Sequence, residues 1–195
     1  MSERWYRLGT AGLLVTALGV SGALRRRADT GEAVGRRAQG ASLWVLRGAV
    51  LGVAGLVLGY LVVPTRVAWA RVDLPRSVRW AGGLLATACL PLLYWVFATL
   101  GRNVSPTANV RAEATLVTDG PYRYVRHPLY TVATAFWLGL CLLSGLWAVA
   151  LALALGVSVI VRRTEEEERQ LTDRFGEAYS EYCERTGRFL PRVSR

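Results

Sequence analysis

The sequence predicts an all-α polytopic membrane protein of five transmembrane helices, with a C-terminal helical hairpin and a cytoplasmic amphipathic tail helix. Three observations lead there. Of the 195 residues, 52% are hydrophobic, and they gather in long runs instead of the spaced stripes of a soluble domain. The run at 129–161 holds 33 consecutive residues without a charge, the mark of lipid-facing chain. The arginines, by contrast, lie almost entirely between or beyond the runs.

Taken in order, the first run covers residues 8–24 and is closed by Arg25, Arg26 and Arg27. Arg4 and Arg7 could also open a signal peptide, but no small-residue cleavage site precedes the arginines, which favours a retained helix. A polar loop follows at 28–40. The second run, 43–63, stops at Pro64 and carries Arg47 in its first two turns. An arginine at that depth snorkels to the interface; contact with a substrate is the functional alternative. After a short loop at 66–79, the third run reaches residue 100, with Pro91 expected to kink it. The run at 129–161 would be about 50 Å long as one helix, against a hydrocarbon core of about 30 Å. Ser144-Gly145 is the natural break, which makes a hairpin of two shorter helices. Beyond it, residues 162–182 read as one helix leaving the membrane, with Leu171, Phe175, Tyr179 and Tyr182 as its apolar stripe. Gly187 and Pro191 end it. Residues 1–100 are thus an N-terminal three-helix membrane region and 101–195 the part that carries the chemistry, within one structural domain.

Five helices put the termini on opposite sides. One side collects the 25–42 loop, the 101–127 loop and the tail, with five, four and eight arginines, 17 in all; the other holds six. The positive-inside rule places the C-terminus in the cytoplasm. This distribution also accounts for the net charge of +10 without nucleic acid, since a nucleic-acid footprint needs a solvated basic face. All 24 basic residues are arginine, the composition of a GC-rich bacterial genome, so the expected location is the bacterial inner membrane. Cys89, Cys141 and Cys183 are too scattered for a metal site or a disulfide framework, and no metal is expected.

Two segments flank the hairpin, which returns them to one membrane face. The first is Gly120-Pro-Tyr-Arg-Tyr-Val-Arg-His-Pro-Leu-Tyr130. Its single histidine, His127, precedes Pro128, a good first helical residue, and the opening amides of that helix favour an anion. Tyr122, Arg123, Tyr124, Arg126 and Tyr130 crowd the same entry; an interfacial belt of aromatic and arginine side chains fits these residues equally well. The second segment is Arg163-Thr-Glu-Glu-Glu-Glu168. Arg163 and Glu167 share a helical face, so Glu167 can orient an arginine that grips a carboxylate. A solvated run of charges is the alternative.

Both segments resemble the isoprenylcysteine carboxyl methyltransferase family. The resemblance extends to Leu100-Gly-Arg-Asn-Val-Ser-Pro-Thr, Leu116-Val-Thr-Asp, Phe175-Gly176, Tyr179, Tyr182 and Phe189-Leu-Pro191, over roughly residues 100–191. It implies an all-helical membrane enzyme that takes S-adenosylmethionine at the cytosolic face. By that likeness Tyr124, Arg126, His127 and Tyr130 line the cofactor pocket, while Arg163 and Glu167 stand beside the transferred methyl and the acceptor. The N-terminal half carries no matching motif, so the acceptor pocket is left open.

The implied chemistry is coherent. A carboxylate acceptor is already ionised at neutral pH and needs no base, so catalysis consists mainly of holding two partners in line. An amine or thiol acceptor would need deprotonation, with Glu167 as base. A lipophilic or lipidated acceptor could enter sideways between helices from the surrounding lipid. A sterol-reductase-type membrane enzyme using NADPH is the competing reading; its phosphates call for more basic residues than Arg123, Arg126 and Arg163. A non-enzymatic transport or scaffold protein is the third.

Overall fold

A computed structural model describes residues 3–28, 41–100 and 115–192. The order of helices is α1 (Glu3–Ala28), α2 (Ala41–Val62), α3 (Arg76–Leu100), α4 (Pro128–Ser144), α5 (Trp147–Phe175) and α6 (Glu177–Arg185). Single 3-10 turns lie at Ala68–Ala70 and Gly120–Arg123. Among the described residues there is no strand, only isolated bridges at Arg71–Leu146 and Val125–Gly187. The side chain of Arg47, residues 29–40 of the predicted loop and the 101–114 segment lie outside the described residues, while Ala28 still belongs to α1.

Among the described residues, three helices are long and apolar enough to cross a membrane: the Glu3–Leu24 part of α1, α3 and α5. The Leu51–Val62 part of α2 and α4 are shorter apolar helices. Leu8, Val15, Leu18, Leu84, Leu151 and Leu155 are all exposed on these helices. So much apolar surface turned outward suits lipid and not water, and the chain is a multi-pass membrane protein.

The predicted break holds. Gly145 caps α4 in the left-handed conformation (φ 74°), and its carbonyl accepts the Val72 amide at 2.8 Å. A Cβ there would stand 2.7 Å from the Val72 oxygen, so the turn needs glycine twice over. The tail departs from expectation. No single helix spans 162–182: α5 is continuous from the hairpin turn to Phe175, Gly176 (φ 53°) breaks it, and α6 follows. The uncharged part of α5 ends at Val161, so about 14 charge-rich residues of the same helix project beyond the apolar region. Pro91 sits inside an unbroken α3.

α3 and α4 form the centre, around Ala86, Cys89, Leu93, Phe97, Phe136 and Leu140, with Ala17 of α1 against them. They touch through glycines. A Cβ on Gly139 would meet the Gly82 carbonyl at 2.7 Å and the Ala86 amide nitrogen at 2.8 Å. Such backbone approach is how helices associate where lipid removes any hydrophobic drive between them. Gly139→Val should therefore force α3 from α4 at a cost of about 1–3 kcal/mol. Thermal unfolding in detergent measures it; an unchanged midpoint would mean that the contact is dispensable.

At the end of the bundle where α1 and α3 begin, polar groups converge. Arg79, expected in a loop, lies instead in the first turn of α3 and is only 7% exposed. Its Nε donates to the Leu143 carbonyl at 2.8 Å, and its Nη1 and Nη2 grip both oxygens of Glu3 at 2.8 Å. Tyr60 donates to Glu3 at 2.6 Å, and Arg71 completes the group at 2.8 Å. One carboxylate thus ties α1, α2 and α3, and Arg79 adds the hairpin turn. A desolvated group with all its partners present holds geometry firmly; removing one partner leaves the others stranded.

Candidate functional site

The site forms at the other end, where α4 starts. The chain turns through Gly120–Arg123, buries Val125 and enters α4 at Pro128 with His127 as its N-cap residue. The tail runs alongside this entry. The Arg126 amide donates to the Gly187 carbonyl at 2.8 Å and the His127 amide to the Arg188 carbonyl at 3.0 Å. Thr131 Oγ1 donates to the Phe189 carbonyl at 2.8 Å, and the Tyr182 hydroxyl to the Tyr122 carbonyl at 2.7 Å. The tail is therefore part of the site, laced to it through its backbone.

Glu168 is the hub. Its carboxylate accepts from Arg126 Nε at 2.9 Å and lies 3.3 Å from His127 Nε2; Arg188 donates to its second oxygen. A carboxylate only accepts, so this geometry calls for the imidazole proton on Nε2. Arg126 Nη1 also donates to the Thr186 carbonyl at 2.5 Å and the Cys183 carbonyl at 3.2 Å. Burial alone would raise the Glu168 carboxyl, but hydrogen bonds from His127, Arg188 and Arg126 outweigh it and hold the group at about 2. Burial would likewise lower the Arg126 guanidinium, yet the Glu168 hydrogen bond and charge keep it above its ordinary value.

One helical step away lies a second constellation. Tyr130 donates to Glu167 at 3.2 Å, and Arg163 interacts with the same hydroxyl. The His127 ring lies between Tyr130, stacked at 5.8 Å and 18°, and Phe189, tilted at 6.0 Å. An open cleft of about 420 Å³ lies beside the hub, lined by Glu165, Glu168, Arg169, Thr172, Asp173 and Arg188. Among the described residues no three His, Cys, Asp or Glu side chains are grouped to hold a metal ion.

The structure thus brings together five of the six residues singled out from sequence: Arg126, His127, Tyr130, Arg163 and Glu167. Tyr124 stands apart, 55% exposed. The carbonyls of the tail take the Arg126 and His127 amides, just ahead of the opening turn of α4 where an anion site was expected. Sequence reasoning included Glu168 in the resemblance without giving it a role, and it did not single out Arg188. The structure adds that Glu168 lies one turn beyond the wholly buried Thr164, on the inward side of α5.

Residues 83–173, which hold both constellations up to the tail, match the model of the isoprenylcysteine carboxyl methyltransferase (ICMT) family. That stretch, a little under half of the chain, is similar to the ICMT family. The ICMT fold agrees: a solved eukaryotic intramembrane Ras methyltransferase ICMT superposes with a TM-score of 0.55 at 20% identity, over 79% of this chain and 54% of that one. Two curated relatives carry other names. The cobalt-zinc-cadmium resistance protein CzcN of Cupriavidus metallidurans is 40% identical over 119 residues, covering 59% of this chain and 53% of CzcN. The nickel-cobalt-cadmium resistance protein NccN of Alcaligenes xylosoxydans xylosoxydans is 31% identical over 116 residues, covering 59% and 54%. The chain spans about half the length of the curated relatives it matches.

Proposed function

We propose that this protein is an integral membrane methyltransferase that moves a methyl group from S-adenosylmethionine to a lipophilic acceptor, a carboxylate in the simplest case. The observation that carries the reading is the juxtaposition of the start of α4 with Arg163, Glu167 and Glu168 of α5, inside the segment that matches the family. The donor set suits the cofactor. Its amino-acid end carries an ammonium next to a sulfonium cation, and the site offers those cations the Glu167 carboxylate and the Tyr130 and His127 rings.

S-adenosylmethionine, when bound, supplies an electrophilic methyl on sulfur. The protein's own residues do the rest by placement. Arg126, His127 and Tyr130 form the cofactor side; Glu168 fixes the first two by accepting from both. Arg163 orients the acceptor carboxylate, and Glu167 with the Tyr130 hydroxyl sets the polarity between the partners. For an amine or thiol acceptor Glu167 is the base. The metal-resistance names of the relatives do not select among these acceptors. We place the site on the cytoplasmic side of a bacterial inner membrane, with five spans, from the arginine distribution.

Calorimetric titration of the purified protein with S-adenosylhomocysteine and with NADPH tests the reading. Saturable heat is expected with the first alone. Binding of NADPH without S-adenosylhomocysteine would replace this reading with a reductase, and binding of neither would leave a non-enzymatic role.

A further inference from the structure

The end of the bundle opposite the site carries more positive charge than its structural bonds require. It lies the length of α4 away, 17 residues or about 25 Å. Arg4, Arg7, Arg66, Arg71, Arg76 and Arg79 gather there, against Glu3 and Asp73 as the acidic side chains among the described residues. Arg79 is used up by Glu3, Tyr60 and two carbonyls of the hairpin turn. Arg7 and Arg71 are not. Arg7 stands one turn after Glu3 and donates to the Leu61 carbonyl, while Arg71 reaches Glu3 and lies 5.7 Å over the Tyr60 ring. The two guanidiniums therefore flank the same Tyr60–Leu61 edge. Their Nε atoms, and the hydroxyl of Tyr6, are buried without a hydrogen-bond partner in the structure. Tyr6 itself is 3% exposed, with its ring 3.6 Å under the Arg79 guanidinium.

A ring of tryptophans surrounds this group. Trp5, Trp69, Trp80 and Trp147 are all exposed, Trp80 packs on Tyr6 at 5.7 Å, and Trp147 Nε1 donates to the Trp69 carbonyl at 3.2 Å. Exposed tryptophans in a belt mark headgroup depth in a bilayer. Arginine forks with spare donors at that depth match a phosphate in charge and in geometry.

We propose that Arg7 and Arg71 form a binding site for the phosphate of an anionic phospholipid headgroup, at the end of the bundle remote from the ICMT-family motifs. The phosphate bridges α1 to the Arg71 loop, completes donors the fold leaves open, and offsets the excess charge around Glu3. The site does not depend on the methyltransferase reading, and its test uses no turnover.

The detergent-purified protein is titrated with short-chain phosphatidylglycerol, with inorganic phosphate and with an uncharged diacylglycerol of the same chain length. Quenching or shift of tryptophan fluorescence is the readout. The lipid phosphate should bind best, and Arg7→Gln and Arg71→Gln should each weaken it by roughly fivefold. Arg185→Gln, in the exposed tail, should leave it unchanged. Arg7→Gln keeps every hydrogen bond of Glu3, so it tests the site even where Arg71→Gln fails to fold. Equal binding of the uncharged lipid, equal binding of free phosphate, or full affinity in Arg7→Gln would each overturn the proposal.

Discussion

Glu168→Ala should cost about 3 kcal/mol of stability and release the tail from the start of α4. The substitution strands the largely buried Arg126 and leaves Arg188 and His127 without their shared acceptor. Hydrogen exchange should report faster exchange of the Arg126 and His127 amides, which donate to the Gly187 and Arg188 carbonyls. The pH dependence carries the sign. A carboxyl that titrates at about 2 when folded and at 4.5 ordinarily stabilises fully above the higher value and loses that stabilisation as pH falls toward the lower. Wild-type stability should therefore decline as pH drops from about 4.5 to about 2, and Glu168→Gln should flatten that part of the decline. Identical acid profiles would remove Glu168 as the hub.

Arg163→Ala should lower turnover by roughly 100-fold while leaving affinity for S-adenosylhomocysteine largely intact. The expectation follows from proximity: a misplacement of about 1 Å costs on that order, and Arg163 is assigned to the acceptor and not to the cofactor. Release of S-adenosylhomocysteine from membranes gives the rate, and calorimetry gives the affinity. Equal loss of both would move Arg163 into the cofactor pocket, and retention of both would return residues 163–168 to a solvated run of charges.

Which features were legible in the sequence depended on how local their cause was. The hairpin break was readable because one helix of 33 uncharged residues overshoots a bilayer and a single glycine stood where the turn must fall. The meeting of His127 and Tyr130 with Glu167 followed from that hairpin. Tyr124 could not be placed, because the chain ahead of α4 is not helical: Val125 turns inward and Tyr124 outward. The resemblance marked Glu167 and Glu168 together, but the role of Glu168 depends on the rotation of α5, which packing sets. Arg188 reaches it through backbone pairing between the tail and the 125–127 segment, which has no periodicity to read. The Glu3–Arg79 pair is farther still, 76 residues apart, and an arginine beside an apolar run looks like any topological charge.

Because α5 is one unbroken helix, it is a lever as well as a span. It starts just after the Gly145 turn, and one rod carries Trp147 at one end and Glu167 and Glu168 near the other. At about 1.5 Å per residue the arm from Trp147 to Glu167 is roughly 30 Å, so a tilt of about 2° sweeps the carboxylates about 1 Å across the face of α4. Helices tilt by more than this when bilayer thickness changes. α4 cannot follow, since its glycine contact locks it to α3. The bonds from Arg126 and His127 to Glu168 therefore have to hold the far end of that rod in place against any such tilt.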